Sequence, residues 1–377
     1  MTDDTRVRSE HHHGSHRGLL DAAPRTTLPA RVQAIVVPTV RPPRAMQHAI
    51  GLAAALGCVL VALCSRKHTS AFKVALLAAA AGVEVLAIDV DDLPSRLLPA
   101  FRTSDWLRDP RFTRRSDLSL KRNLGLLLAR VARWERIVFL DDDIEVPDHR
   151  DLSRAAALTD DYAGVGLKIE GYPDNSVVCH AYREAGGAQE MFVGGGALAV
   201  HAGSTSSFFP NIYNEDWFFL LGDQRLRRTT VTGTAWQQPY DPFDVEERAR
   251  AQEWGDVLAE GLFWLLDEGR PLKDANACYW ADYLAKRKRF IVETIELTRS
   301  TEPDPARKAR KLRSLAAALG RSRSLQPQRC EDYVEAWRKD RSVWQRHLDH
   351  HEQHAPRESD LGKVIAHLGL THVTTYL

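Results

Sequence analysis

Apolar positions along the chain fall into short continuous runs separated by amphipathic stretches. The runs Val32–Pro38, Cys58–Leu63, Val83–Ile88 and Arg136–Leu140 read as strands. Between them, Ala45–Leu56, Ser70–Ala81 and Ser116–Trp134 carry the spacing of helices. Strands alternating with helices imply parallel pairing through right-handed crossovers, and near-continuous apolar strands imply a sheet covered on both faces. After Asp143 the rhythm changes. Tyr162–Lys168, Ser176–Tyr182, Met191–Val193, Ala197–Val200 and Thr230–Trp236 read as β segments, and Gln252–Asp267 as an amphipathic helix. Beyond Gly269-Arg270-Pro271 the pattern is helical almost throughout, over Ala275–Arg299, Pro305–Leu319 and Cys330–His351. The expectation is an α/β fold with a mixed sheet flanked by helices over 31–270, and a helical C-terminal region over 271–377. Residues 1–30 are polar, His-rich and aperiodic, and are expected to be disordered.

With 377 residues the chain can bury a large core. A net charge of +1 calls for neither nucleic acid nor an anionic membrane. The five cysteines, Cys58, Cys64, Cys179, Cys278 and Cys330, are scattered, odd in number and lack a CxxC pair. That argues against a zinc ribbon or disulfide framework and for a reducing cytoplasm. No signal-peptide core opens the sequence. The longest apolar run, Ile50–Cys64, is too short for a bilayer, which takes about 20 residues. His11, His12, His13 and His16 are ligand types, but the surrounding polarity reads as a solvated tail. The run Lys286–Arg289 reads as a solvated helix face, with an anionic acceptor or membrane surface as the alternative.

The candidate chemistry centres on Asp141-Asp142-Asp143, which ends the fourth strand. Ligands in open α/β sheets bind just past the carboxyl ends of strands. Three acids there either hold a divalent cation and a ribose or end a strand in solvent. In an extended chain Asp141 and Asp143 would share one side and Asp142 the other. The earlier strand ends, Pro38-Thr39-Val40-Arg41, Ser65-Arg66-Lys67 and Asp89-Val90-Asp91-Asp92, would line the same crevice. They would bring cations to a diphosphate and carboxylates to a nucleoside. No GxGxxG follows the first strand and no GxxxxGK[ST] occurs, which argues against a dinucleotide-binding dehydrogenase and a P-loop NTPase. Gly194-Gly195-Gly196 reads as a bulge, a close backbone approach to a ligand, or a turn. Glu215-Asp216 abuts an aromatic block, Trp217-Phe218-Phe219. A carboxylate in such surroundings has a raised pKa and suits a general base. Alternatively the pair opens a helix capped by Asn214. The loop Gln237–Pro242 is a turn or a flap over the cation. Tyr213, Trp217 and Trp236 are stacking faces or core.

Together these pieces resemble the nucleotide-sugar-dependent glycosyltransferases of the GT-A fold, nearest in style to family 2. Val36-Val37-Pro38-Thr39 resembles the opening strand and its nucleotide-contacting turn. Lys121-Arg122-Asn123-Leu124-Gly125 resembles the "ARNxG" helix, and Phe139–Asp143 the DxD strand. Gly194–Ala197 resembles the glycine-rich segment before the acceptor site, and Glu215-Asp216 the "ED" pair. The resemblance spans roughly Val32–Asp267. It implies Mn²⁺ or Mg²⁺ held by Asp141 and Asp143, and nucleotide contacts from Pro38, Thr39, Arg41, Ser65, Arg66, Asp91, Arg122, Asp141, Asp142, Gly195 and Gly196. It also implies a catalytic pair, Asp216 and Glu215, with Asp216 the base if the reaction inverts. The partners implied are a nucleoside diphosphate sugar and a small-molecule or glycan acceptor. The helical C-terminal region offers a homo-oligomer surface. Two features depart from the family: the second strand ends in Ser65-Arg66-Lys67 in place of "DDGS", and "QxxRW" survives only as Gln224–Arg228 without its Trp. The alternatives are a sugar-phosphate nucleotidyltransferase, whose Gly-rich basic opening is missing after the first strand, and a non-catalytic binding or scaffold protein on the same frame.

Overall fold

The structure, a computed structural model, describes residues 6–13, 16–24, 28–109, 112, 114, 116–172, 176–222, 224–356 and 360–377. Elements are labelled in chain order. The first part runs β1 (Ala34–Thr39), α1 (Gln47–Leu56), β2 (Val59–Cys64), α2 (Ala71–Ala80), β3 (Val85–Asp89), α3 (Arg102–Asp105), α4 (Leu118–Val131) and β4 (Arg136–Leu140). Next come β5 (Ile144–Glu145), α5 (Arg150–Leu158), β6 (Gly164–Gly171), α6 (Val177–Glu184), β7 (Ala197–His201), α7 (Glu215–Leu220) and β8 (Thr229–Gln237). The chain then runs through α8 (Glu246–Asp267), α9 (Ala277–Thr301), α10 (Pro305–Ser324), α11 (Pro327–His354) and α12 (Leu361–His367) to β9 (Thr374–Tyr376).

One mixed sheet of nine strands, ordered β5-β8-β6-β7-β4-β1-β2-β3-β9, forms the centre. Strand β1 pairs in parallel with β2 and β4, and β2 with β3, so these four strands end at the same lip. Strand β7 runs antiparallel between β4 and β6, while β6 and β8 pair in parallel. Alternate side chains enter different cores, as the strand period of two requires. Val36, Val61, Leu86 and Phe139 meet α4, α8 and α11 on one face. Ile35, Leu60, Ala62 and Val138 meet α1, α2 and α5 on the other. A third cluster joins α6, α9 and α10 through Val178, Phe290 and Leu315.

Helix α4 lies tight on the sheet because residue 125 is glycine. A Cβ there would come within 2.7 Å of Val36 and 3.1 Å of Phe139. Its Asn123 is locked to the backbone of Phe209, donating to the carbonyl and accepting the N–H, each at 2.8 Å. At the other end of the molecule, buried Asp340 of α11 accepts the N–H groups of Arg102 and Thr103, both at 2.8 Å. That supplies α3 with the acceptor its first turn lacks.

Four expectations are corrected. Ser176–Tyr182 is a helix: Ser176 accepts the N–H of Cys179 as a cap, and burial all round hides the helical period. Met191–Val193 lies outside any strand. The C-terminal region also contains β9, which pairs antiparallel with β3 and covers its edge. The described part of the N-terminal stretch packs against the body instead of lying free. His16 is fully buried against Trp217 and Phe263, and His13 reaches Asp267 at 3.0 Å. Residues 1–5, 14–15 and 25–27 of that stretch lie outside the described residues. No helix among the described residues is long and apolar enough to cross a membrane.

Candidate active site

Four strand ends and two later segments converge at one lip. At the end of β1, Thr39 Oγ1 donates to Asp142 Oδ2 at 2.6 Å and accepts the N–H of Arg41 at 3.1 Å. The Arg41 guanidinium reaches Asp143 at 2.9 Å and Asp142 at 3.3 Å. Past Leu140 the chain turns, with Ile144 N–H bonding the Asp141 carbonyl at 3.1 Å. The extended alternation of the three acids therefore does not hold. Asp142 and Asp143 both meet Arg41, and Asp141 meets Arg122.

Arg122 is the hub. Its guanidinium donates to both oxygens of Asp141 at 3.0 and 3.1 Å and to Glu215 Oε1 at 2.8 Å. Arg114 takes the other Glu215 oxygen at 3.0 Å and also donates to the Ile212 carbonyl. Glu215 is thus buried with both oxygens held by arginines. Charge-assisted contacts shared in this way, one guanidinium nitrogen to both oxygens of Asp141 and two arginines on Glu215, fix position as well as charge.

The glycine segment links the two acidic motifs through its backbone. Gly196 carbonyl accepts the N–H of Asp141 at 2.9 Å, and Gly195 N–H donates to Asp216 Oδ2 at 2.6 Å. Burial raises the Asp216 carboxyl, the charge of Glu215 adds to the rise, and Arg122 with the N–H groups of Gly195 and Trp217 oppose it. Burial also raises Asp141, to about 7, with Arg122 pulling down and Asp143 and Asp142 pushing up. Asp142 rises for the same first reason, against the hydrogen bond from Thr39.

Lys121 has a role that its motif did not reveal. Its ammonium is buried and donates to the Thr39 carbonyl at 2.8 Å and Ser65 Oγ at 2.7 Å, with Asp117 at 3.2 Å. It ties the end of β1 to the end of β2. The signal was available: a lysine inside an amphipathic helix, one residue before the site arginine. Burial lowers its pKa, and Asp117 works against that.

Other expected residues sit farther from this hub. Pro38 is buried inside β1 opposite Leu63, one residue short of the lip. Asp91 accepts the backbone N–H of Arg66 at 2.7 Å, and Asp89 accepts that of Ala71 at the start of α2. These acids shape the loop after β2. Asn214 occupies the position before α7 in a left-handed conformation, φ 62°, without capping it; its amide donates to Asp256 at 2.9 Å. Gln238 N–H donates to the Asp143 carbonyl at 3.0 Å, so the loop after β8 lies against the acid turn. Trp217 is core, packed on Phe263, whereas Trp236 is about half exposed.

The donor set fits a hard divalent cation in the magnesium style. Asp141 and Asp143 bring carboxylate oxygens, of which both on Asp141 are met by Arg122 and one on Asp143 by Arg41. The three acids do not gather three ligand atoms within 4.8 Å of one another. One or two carboxylates with substrate phosphate and water are the usual complement for Mg²⁺.

No protein-family model matches the sequence, and no curated protein matches it. Among solved structures, the chain is similar to the mannosyltransferase PcManGT from Pyrobaculum calidifontis in complex with GDP-Man and Mn²⁺. The alignment covers 93% of this chain and 89% of that one, at 13% identity and a TM-score of 0.38. A likeness at that level carries no functional argument.

Proposed function

We propose that the chain is a divalent-metal-dependent glycosyltransferase of the GT-A type, moving a sugar from a nucleoside diphosphate donor to an acceptor hydroxyl. The observation that carries the reading is the Asp141–Arg122–Glu215 bridge, which joins the acid turn after β4 to the segment bearing Asp216. That bridge supports a donor site and an acceptor site built as one rigid unit.

In this reading Asp141 and Asp143 hold Mn²⁺ or Mg²⁺, which when bound supplies Lewis-acid neutralisation of the departing diphosphate. Asp142, held by Thr39, faces the nucleoside sugar, and Arg41 meets phosphate when it leaves Asp143. Arg122 fixes Asp141 and Glu215. Glu215 positions; it does not exchange protons, because both oxygens are bound to guanidinium groups. Asp216 takes the proton of the acceptor hydroxyl if the configuration inverts. Its raised pKa suits that work, since a base is most effective when its pKa lies near the operating pH. The testing experiment is a thermal-shift screen of nucleoside diphosphates and their sugars with and without Mn²⁺, because ligand binding to the native state raises the melting temperature. A shift that requires both nucleotide and Mn²⁺ is expected. No shift for any nucleotide would remove the reading.

A further inference from the structure

The N-terminal segment brings His12 against Cys179 of α6 and Glu260 of α8. One ligand-type atom from each lies within 4.8 Å of the other two. Cys179 Sγ is 3.4 Å from Glu260 Oε1, and His12 Nδ1 is 3.5 Å from Glu260 Oε2. Donors bonded to tetrahedral zinc at about 2.0–2.3 Å stand about 3.3–3.8 Å apart; each separation has that length, but they run to the two different oxygens of Glu260, so one oxygen serves both edges only after the carboxylate turns. All three residues are buried, His12 at 7% exposure and the other two at 6%.

His12 supplies the second, independent observation. Its Nδ1 is buried and has no hydrogen-bond partner. The same nitrogen faces Glu260. At 3.5 Å Glu260 Oε2 offers charge but no well-formed hydrogen bond, and a buried polar atom without one costs about 1–3 kcal/mol, which a bound cation would relieve. The ring is held in place by stacking on Phe290 at 4.2 Å and an edge contact with Tyr182 at 5.5 Å. The charge around it points the same way. Arg287 bonds Glu253, Asp256 and Glu260 together, so one guanidinium faces three carboxylates.

We propose that His12, Cys179 and Glu260 form a site for a zinc-class divalent ion, separate from the acid turn after β4. Mixed nitrogen, sulfur and oxygen donors select such ions over magnesium. The fourth ligand is a water from the adjoining cleft, whose volume of about 40 Å³ accommodates one. Asp216 and Trp217 line that cleft too, so the ion would clamp the N-terminal segment behind the proposed base. On binding, the S–H bond of Cys179 breaks, its proton passes to solvent, and the sulfur electron pair forms the metal–sulfur bond. The inference does not depend on the glycosyltransferase reading.

The test uses the full chain, stripped of metal and titrated with Co²⁺, a spectroscopic stand-in for zinc. One equivalent is expected to bind with a thiolate-to-cobalt charge-transfer band in the near ultraviolet. Cys179→Ser is expected to abolish the band. His12→Phe, which keeps the stack on Phe290, is expected to weaken Co²⁺ binding at least tenfold. Cys278→Ser, at an exposed cysteine outside both sites, is expected to leave both band and affinity unchanged. Near-ultraviolet circular dichroism confirms that each variant is folded, and His12→Asn replaces His12→Phe if the latter is not. Absence of the band from the parent chain overturns the site, as does any variant pattern other than this one.

Discussion

A Cβ placed on Gly195 would lie 2.5 Å from the nearer terminal nitrogen of Arg122 and 2.6 Å from its central carbon. The guanidinium cannot retreat, because Asp141 and Glu215 hold it from two sides. Gly195→Ala should therefore cost about 1–3 kcal/mol of stability, the usual penalty of overpacking, and should lower turnover more than it raises KM. Denaturant unfolding and steady-state kinetics check this together.

Arg122→Met should be among the most damaging single changes in the site. It takes the guanidinium from Asp141, which is a quarter exposed, and leaves buried Glu215 with Arg114 alone; losing one partner of a buried ion pair typically costs about 3–5 kcal/mol. Adding Glu215→Gln should recover part of that loss by removing the charge left short of a partner. A double-mutant cycle in denaturant measures the recovery, and strict additivity would show that the bridge does not couple the two residues.

Asp143→Asn should fold normally, since its side chain is partly exposed and pairs with Arg41. It should lose the Mn²⁺-dependent part of the nucleoside diphosphate thermal shift. A shift of parental size and metal dependence would take Asp143 out of the metal site.

For Asp216 the expected signature is a pH profile. Its carboxyl is raised by burial, and only the ionised form accepts a proton. kcat/KM should fall about tenfold per pH unit below the raised pKa and level off above it. Asp216→Asn should flatten that acid limb and reduce turnover by about 10²–10⁴-fold. Near-parental turnover with intact donor binding would end the assignment.

His16 should make the protein acid-sensitive in a defined window. Burial lowers its pKa from 6.5 to about 3, and neither ring nitrogen has a hydrogen-bond partner. Below the unfolded value the unfolded chain takes up a proton that the folded chain refuses. Stability should thus be lost as pH falls from 6.5 toward 3, at about 1.4 kcal/mol per pH unit from this residue. His16→Phe, placed among Trp217, Phe263 and Phe192, should remove that contribution. Denaturant midpoints across the window compare the two.

The β1–β4 half of the sheet was legible because its strands are buried on both faces and the candidate residues follow strand ends. Thr39, Arg41, Arg122, Asp141, Asp142, Asp143, Gly195, Gly196, Glu215 and Asp216 all meet at one lip or are bonded across it. What escaped is where burial reverses the meaning of polarity. The His-rich start looked solvated, yet His16 is neutral and buried. The run Lys286–Arg289 looked like a wet helix face, yet Arg287 is almost fully buried against Glu253, Asp256 and Glu260. A clue existed, since those acids recur at helical spacing on one side of α8. Ser176–Tyr182 failed differently. All of Val177–Tyr182 is buried, so the window read as a strand shows no polar face, and the helical period emerges only when Arg183 and Glu184 are included.

Because β6 and β8 lie side by side and point the same way, the chain between Gly171 and Thr229 has to return along the sheet, and it does so through β7, which runs antiparallel between β4 and β6. On the proposed reading that detour carries the glycine segment and Asp216, while the nucleotide side is built from β1 to β4. The two loops on either side of β7 could therefore change length or shape to suit a new acceptor, while β7 itself is held in register by β4. A laboratory exchange that spares the sheet would have to leave β7 in place and splice at its two ends, Ala197 and His201.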